Sequence, residues 1–155
     1  MAGFSYKQAE EIRDAFKRHR IRYLFIGKSG AILLGYPDTT QDADLFVEKE
    51  PGNCERLAQA LVELGFELPP ALAQEVRRGK DFIQLKNGPF DLDLVFAPDG
   101  IERFEDAWER RIEVMDFPVC GIDDIIRSKQ AANRTKDRES LPRLLKFREW
   151  LQRRQ

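Results

Sequence analysis

Two short acidic pairs constrain this chain more than any other feature. Asp42-Ala43-Asp44 and Asp91-Leu92-Asp93 each sit within an otherwise apolar run, the first reaching to Val47 and the second spanning Phe90 to Phe96. On a strand, residues two apart project from one face with Cα atoms ~7 Å apart, while their neighbours point the other way. Aspartate is disfavoured in strands, so two at alternate positions need a cause. Carboxylates forced together repel unless a cation lies between them, and a divalent ion with oxygen ligands is the natural partner. If the two strands lie side by side, three carboxylates converge, enough to hold two Mg²⁺ ions ~3.5–4 Å apart for in-line phosphoryl chemistry. The competing reading is that each pair keeps the solvated start of a strand soluble. A single pair would favour that reading, and two favour the metal.

The rest of the chain alternates helical and strand patterns. Ala9, Ile12 and Phe16 mark an amphipathic helix over residues 6 to about 20. Arg22 to Ile26 reads as a buried strand ending at Gly27, followed by a short helix through Ala31 to Leu34. Pro51 to Gly65 is a helix with proline at its start and glycine as its stop, and a shorter one covers 71 to 78. Asn87-Gly88 between Phe82–Leu85 and Phe90–Phe96 signals a hairpin. A helix around Phe104 to Arg110, one edge strand from Ile112 to Val119 and helices over 122–132 and 138–153 complete the reading. The pattern predicts an α/β (α+β) chain: a short mixed sheet flanked by helices, with residues 1–120 as core and 121–155 as a helical portion closing on it.

Ile26-Gly27-Lys28-Ser29-Gly30 invites comparison with the phosphate-binding P-loop, but the first glycine of that motif would fall at position 22, where Arg22 stands. What survives is a strand, a small-residue turn and a helix start, which offers backbone N–H groups to an anion.

Taken together, Phe25-Ile26-Gly27-Lys28-Ser29, Gly35-Tyr36-Pro37, Thr40 and Asp42-Ala43-Asp44-Leu45 resemble the signature of the DNA polymerase β-type nucleotidyltransferase superfamily. In that family a strand ends in a small-residue turn, and an Asp-x-Asp follows on the next strand after about a dozen residues. The resemblance continues through Asp93 to Gly100, and through Ile125 to Lys129 and Asn133 to Asp137, so that it covers about residues 22 to 140. It is nearest to the small bacterial members of this fold related to AbiEii-type toxins. It implies a Mg²⁺-dependent transfer of NMP from an NTP to an acceptor hydroxyl, with Asp42, Asp44 and Asp93 as catalytic metal ligands. Asp93 is preferred to Asp91 because it directly precedes the following strand and turn. Gly27, Lys28 and Ser29, with Lys129 and Arg134, would hold the nucleotide, and Lys136 is a further candidate. The acceptor is left open among RNA or tRNA, a protein and a small molecule. Lys28 departs from the family's small residue at the second place of the turn. That departure motivates a second reading, a catalytically degenerate fold that binds a nucleotide or a protein partner, for instance in a toxin–antitoxin pair.

Charge is unevenly distributed. The net charge is −1, yet ten basic residues from Arg127 onward face only three acids, a net of +7 that leaves −8 for the first 126 residues. Positive charge beside a carboxylate site suits a triphosphate, whereas a dedicated nucleic-acid module would be opposed by the acidic remainder. Asp137 is expected to orient Arg134 or Lys129. Two cysteines, Cys54 and Cys120, and one histidine, His19, cannot make a four-ligand zinc site. No run of ~18 apolar residues and no signal-like leader is present, so the expectation is a cytoplasmic protein without membrane contact.

Overall fold

The computed structural model describes residues 3–154. Its centre is a six-stranded mixed sheet of β1 (Tyr23–Ile26), β2 (Asp42–Val47), β3 (Phe82–Leu85), β4 (Asp91–Val95), β5 (Ile112–Val114) and β6 (Phe117–Val119), in the order β3-β4-β2-β1-β6-β5. β2 runs antiparallel to β1 and parallel to β4, and β1 runs parallel to β6. β3–β4 and β5–β6 are antiparallel hairpins.

Alternation along the strands supplies two apolar faces. Phe25, Ala43, Leu45, Leu92 and Leu94 point to one side, where α1 (Tyr6–Arg18), α3 (Pro51–Leu64) and α4 (Pro70–Arg78) cover them in the main core. On the other side Leu24, Ile26 and Phe46 meet α5 (Phe104–Glu109) and α6 (Ile122–Ala132) through Ala107 and Ile125. A third cluster joins α2 (Gly27–Leu33), α6 and α7 (Thr135–Arg153) through Ala31, Ile126, Leu144 and Phe147. The helices thus form layers on both faces of the sheet, as the alternating pattern predicts.

Local chemistry sets the boundaries. Ser5 caps α1 by accepting from the Gln8 amide, and Glu50 caps α3 by accepting from the Gly52 and Asn53 amides. Gly65 ends α3 in the left-handed conformation. Asn53, fully buried, accepts from the Arg22 amide at 2.8 Å and donates to the carbonyls of Arg22 and Glu48 at 3.1 and 2.9 Å, pinning the start of β1 to the end of β2.

Three sequence expectations change. The helix after β1 begins at Gly27 rather than Ala31, so the small-residue turn is itself the first turn of α2. The single edge strand over 112–119 is a hairpin, β5–β6, turned at Met115 and Asp116, both at positive φ (49° and 65°). Such a two-residue turn normally advertises itself with Asn or Gly, and here it does not. α7 starts at Thr135 rather than 138, because Asp137 folds back to accept from the Arg134 amide. Among the described residues, no helix is long and apolar enough to cross a membrane.

Candidate active site

The acidic pairs meet as their spacing predicts. In the parallel β2–β4 register, Asp42 lies opposite Asp91 and Asp44 opposite Asp93, so that all four project from one sheet face. α2, α6 and the start of α7 leave the end of this face open as a cleft of about 600 Å³. Asp42, Asp44 and Asp93 line it, together with Gly27, Lys28, Lys129 and Arg134. Asp91 is half-buried and does not line it.

Burial, then the neighbouring charge of Asp93, pushes the Asp44 carboxyl well above the usual carboxylate range. Burial, then Asp42, raises Asp93 as well. Two carboxylates this close cannot both ionise freely without a cation between them. Among the described residues, no three acidic, histidine or cysteine side chains close on one point as a metal cage. The donor set is nonetheless all carboxylate oxygen on neighbouring positions of a rigid sheet, the chemistry that Mg²⁺ accepts.

Gly27 explains itself by contact. Its φ is +65°, and a Cβ placed on it would lie 2.5 Å from Asp44 Oδ2. Gly30 is equally enforced, since a Cβ there would come within 2.9 Å of the Phe25 carbonyl oxygen and lift α2 off β1. Ser29 departs from its expected place. It is fully buried, donates to the Ile26 carbonyl at 3.1 Å and accepts from the Asp44 amide at 2.9 Å. With its hydroxyl donating to one backbone group and accepting from another, Ser29 acts as a strut that fixes the backbone of Asp44 against the α2 turn.

The opposite wall is cationic. Lys129, whose side chain is mostly buried, stands 3.5 Å from Asp137, and burial lowers its pKa. Arg134 donates through Nε to Asp137 Oδ2 at 2.8 Å. Burial alone would raise the Asp137 carboxyl, but hydrogen bonds from the Arg134 side chain and backbone, with the Lys129 charge, hold it below the ordinary range. Asp137 therefore stays charged and aims both cations, as expected from its spacing. Lys136 also lines the cleft. Lys28 is held by Asp38, 3.4 Å from its ammonium, and Arg143 reaches the same carboxylate at 3.6 Å. Asp38 was not singled out in the sequence, because a loop Asp before Thr-Thr carries no signal beyond a turn. Phe82 and Gln84 were also missed; β3 places them beside β4 on the acidic face, where both line the cleft.

No family model and no curated protein matches the chain. Solved structures do. The lincosamide antibiotic adenylyltransferase LnuA, in a lincomycin-bound structure, superposes with a TM-score of 0.64 at 15% identity over 92% of this chain and 98% of that one. A Thermotoga maritima protein provisionally assigned as a nucleotidyltransferase superposes with a TM-score of 0.59 at 14% identity, over 96% and 92% of the two chains. At these identities the likeness is one of fold, and this chain has the nucleotidyltransferase fold.

Proposed function

We propose that this protein transfers NMP from an NTP to an acceptor hydroxyl, releasing pyrophosphate, in the cytoplasm. The observation that carries the reading is the in-register pairing of Asp42 and Asp44 with Asp91 and Asp93 on the open face, opposite Lys129 and Arg134. Residues 1–120 would form the catalytic core and 121–155 the cationic wall. Asp42, Asp44 and Asp93 would hold Mg²⁺, two ions in the full complement, and bound metal would supply charge neutralisation at the phosphates. Lys129 and Arg134, fixed by Asp137, would bind the triphosphate oxygens, with Lys28 adding a charge once released from Asp38. Gly27 keeps the backbone close beneath. The acceptor oxygen attacks the α-phosphorus, the bond to the β-phosphate oxygen breaks, and the acceptor proton passes to Asp93. Structural likeness to an antibiotic adenylyltransferase and the small size both allow a small-molecule acceptor; kinship with AbiEii-type toxins stays part of this proposal.

Calorimetric titration of each NTP, with and without Mg²⁺, tests it. Binding that requires Mg²⁺ and is lost in the Asp42→Asn/Asp44→Asn double variant is the expected result. A folded wild type that binds no NTP would overturn the reading and favour the degenerate fold that Lys28 suggests.

A further inference from the structure

A second cavity, of about 410 Å³, lies outside the carboxylate cleft, between the loop after α2 and the second half of α7. Its walls are three aromatic rings. Tyr36 and Phe147 meet edge to face with centroids 5.5 Å apart, and Phe147 and Trp150 stack at 5.8 Å with 20° between planes. Its rim is cationic. Arg143 lies 5.3 Å over the Tyr36 ring and donates to the Pro37 carbonyl at 3.1 Å. Lys146 also lines the cavity and joins no salt bridge among the described residues.

Two features of this cavity stand apart from the packing of the core. Trp150 remains 42% exposed, with Arg154 4.7 Å over its ring, although the helix that carries it is anchored in the core by Leu144 and Phe147. Tyr36 is only 3% exposed, yet its hydroxyl has no hydrogen-bond partner, a condition that folded proteins rarely leave uncorrected. The only acid near the rim in these contacts is Asp38, which Arg143 shares with Lys28. That one carboxylate, already paired with Lys28 of the cleft, leaves Arg143 and Lys146 with net positive charge at the mouth of an aromatic slot.

We propose that this cavity binds a planar aromatic molecule bearing a carboxylate or a phosphate. The ring lies against Trp150 and Phe147, where π faces favour stacking. The anion takes Arg143 and Lys146, Arg143 offering the planar fork that matches either group. The volume falls within the range of small-molecule sites. The cavity is also linked to the cleft, because an anion that draws Arg143 from Asp38 leaves that carboxylate to Lys28.

The experiment follows the indole N–H resonances of the two tryptophans, Trp108 and Trp150, in ¹⁵N-labelled protein. It is run in EDTA, in wild type and in the Asp44→Asn variant, with 1-naphthoate, AMP, and the neutral 1-naphthalenemethanol and adenosine as probes. A saturable shift of Trp150 but not Trp108, given by an anion and not by its neutral counterpart, is expected in both proteins. Response to 1-naphthoate alone identifies a carboxylate ligand, and response to AMP alone a phosphate. Arg143→Gln should weaken the effective probe by about tenfold or more, the scale of one charge-assisted hydrogen bond. Circular dichroism and the melting midpoint of that variant should match wild type. No saturable shift with either anion, or equal shifts with the neutral probes, overturns the proposal. So does a Trp150 resonance that moves only with protein concentration, which would mean that a second copy of the chain covers the cavity. Because neither metal nor NTP is present, failure here leaves the transferase reading to its own titration, and failure there leaves this site standing.

Discussion

Replacing Gly27 by alanine tests the site and its support at once. The residue sits at φ +65°, where an L side chain costs about 1–2 kcal/mol. The added Cβ would lie 2.5 Å from Asp44 Oδ2 and 3.2 Å from Asp44 Cγ. Asp44 cannot simply step aside, because its amide is tied to the buried Ser29 hydroxyl and its strand is paired on both edges. Overpacking of this kind adds about 1–3 kcal/mol. Gly27→Ala should therefore lower the unfolding free energy by about 2–5 kcal/mol, measured by urea denaturation in EDTA. In an Asp44→Ala background the two nearest atoms are gone, and the remaining contact is Asp44 Cβ at 3.3 Å. There the same substitution should cost only the backbone strain, about 1–2 kcal/mol. The double-mutant cycle isolates the clash from the conformational cost. An equal loss in both backgrounds would refute the contact as the reason for glycine.

Other expectations follow from the same structure. Asp44 and Asp93 bind protons more tightly folded than unfolded, so without metal their contribution is fully present below about pH 4 and is lost as pH rises through the raised folded values. Melting in EDTA from about pH 4 to about pH 8 should show Asp44→Asn gaining on wild type as pH rises, and a constant gap would contradict the coupling. Asn53→Ala orphans the Arg22 amide and takes one of two donors from each of the Arg22 and Glu48 carbonyls, and should cost about 2 kcal/mol in urea unfolding. Asp137→Ala strands the buried Lys129 and should cost about 3 kcal/mol, the low end for a broken buried pair because Arg134 can turn to water. In the same variant, calorimetry should show weaker NTP binding.

Much of the sheet was legible because the period-two pattern is strong where a strand has one charged face. β2 coincides with the run from Asp42 to Val47, and β3 and β4 flank an Asn-Gly turn that declares itself. Asp42, Asp44 and Asp93 share one cleft for the same reason: parallel pairing carries the spacing of one strand onto its neighbour, whereas Lys129 and Arg134 reach it from α6 and the start of α7. The strut formed by Ser29 was not legible, because a hydroxyl next to a glycine turn gives no sign of which backbone amide it will meet, here that of Asp44. The β5–β6 turn was invisible since Met115 and Asp116 adopt positive φ without the residues that usually announce it. Asp38 and the aromatic cavity depend on contacts more than 100 residues apart in sequence, Arg143 to Pro37 among them, and no local pattern encodes those.

The parallel pairing of β2 with β4 also bears on how the chain reaches its native state. Parallel strands need a long crossover, and here 43 residues, holding α3, α4 and β3, separate Val47 from Asp91. Closing a loop of that length is a non-local event, so the two strands join late relative to the helices and the β3–β4 hairpin between them. The mutual repulsion of the aspartates is therefore absent from the early stages and enters when β2 and β4 dock. Divalent cation present during refolding should therefore speed that step most, which makes the rate of strand docking, more than the rate of collapse, the quantity tuned by the charge of this face.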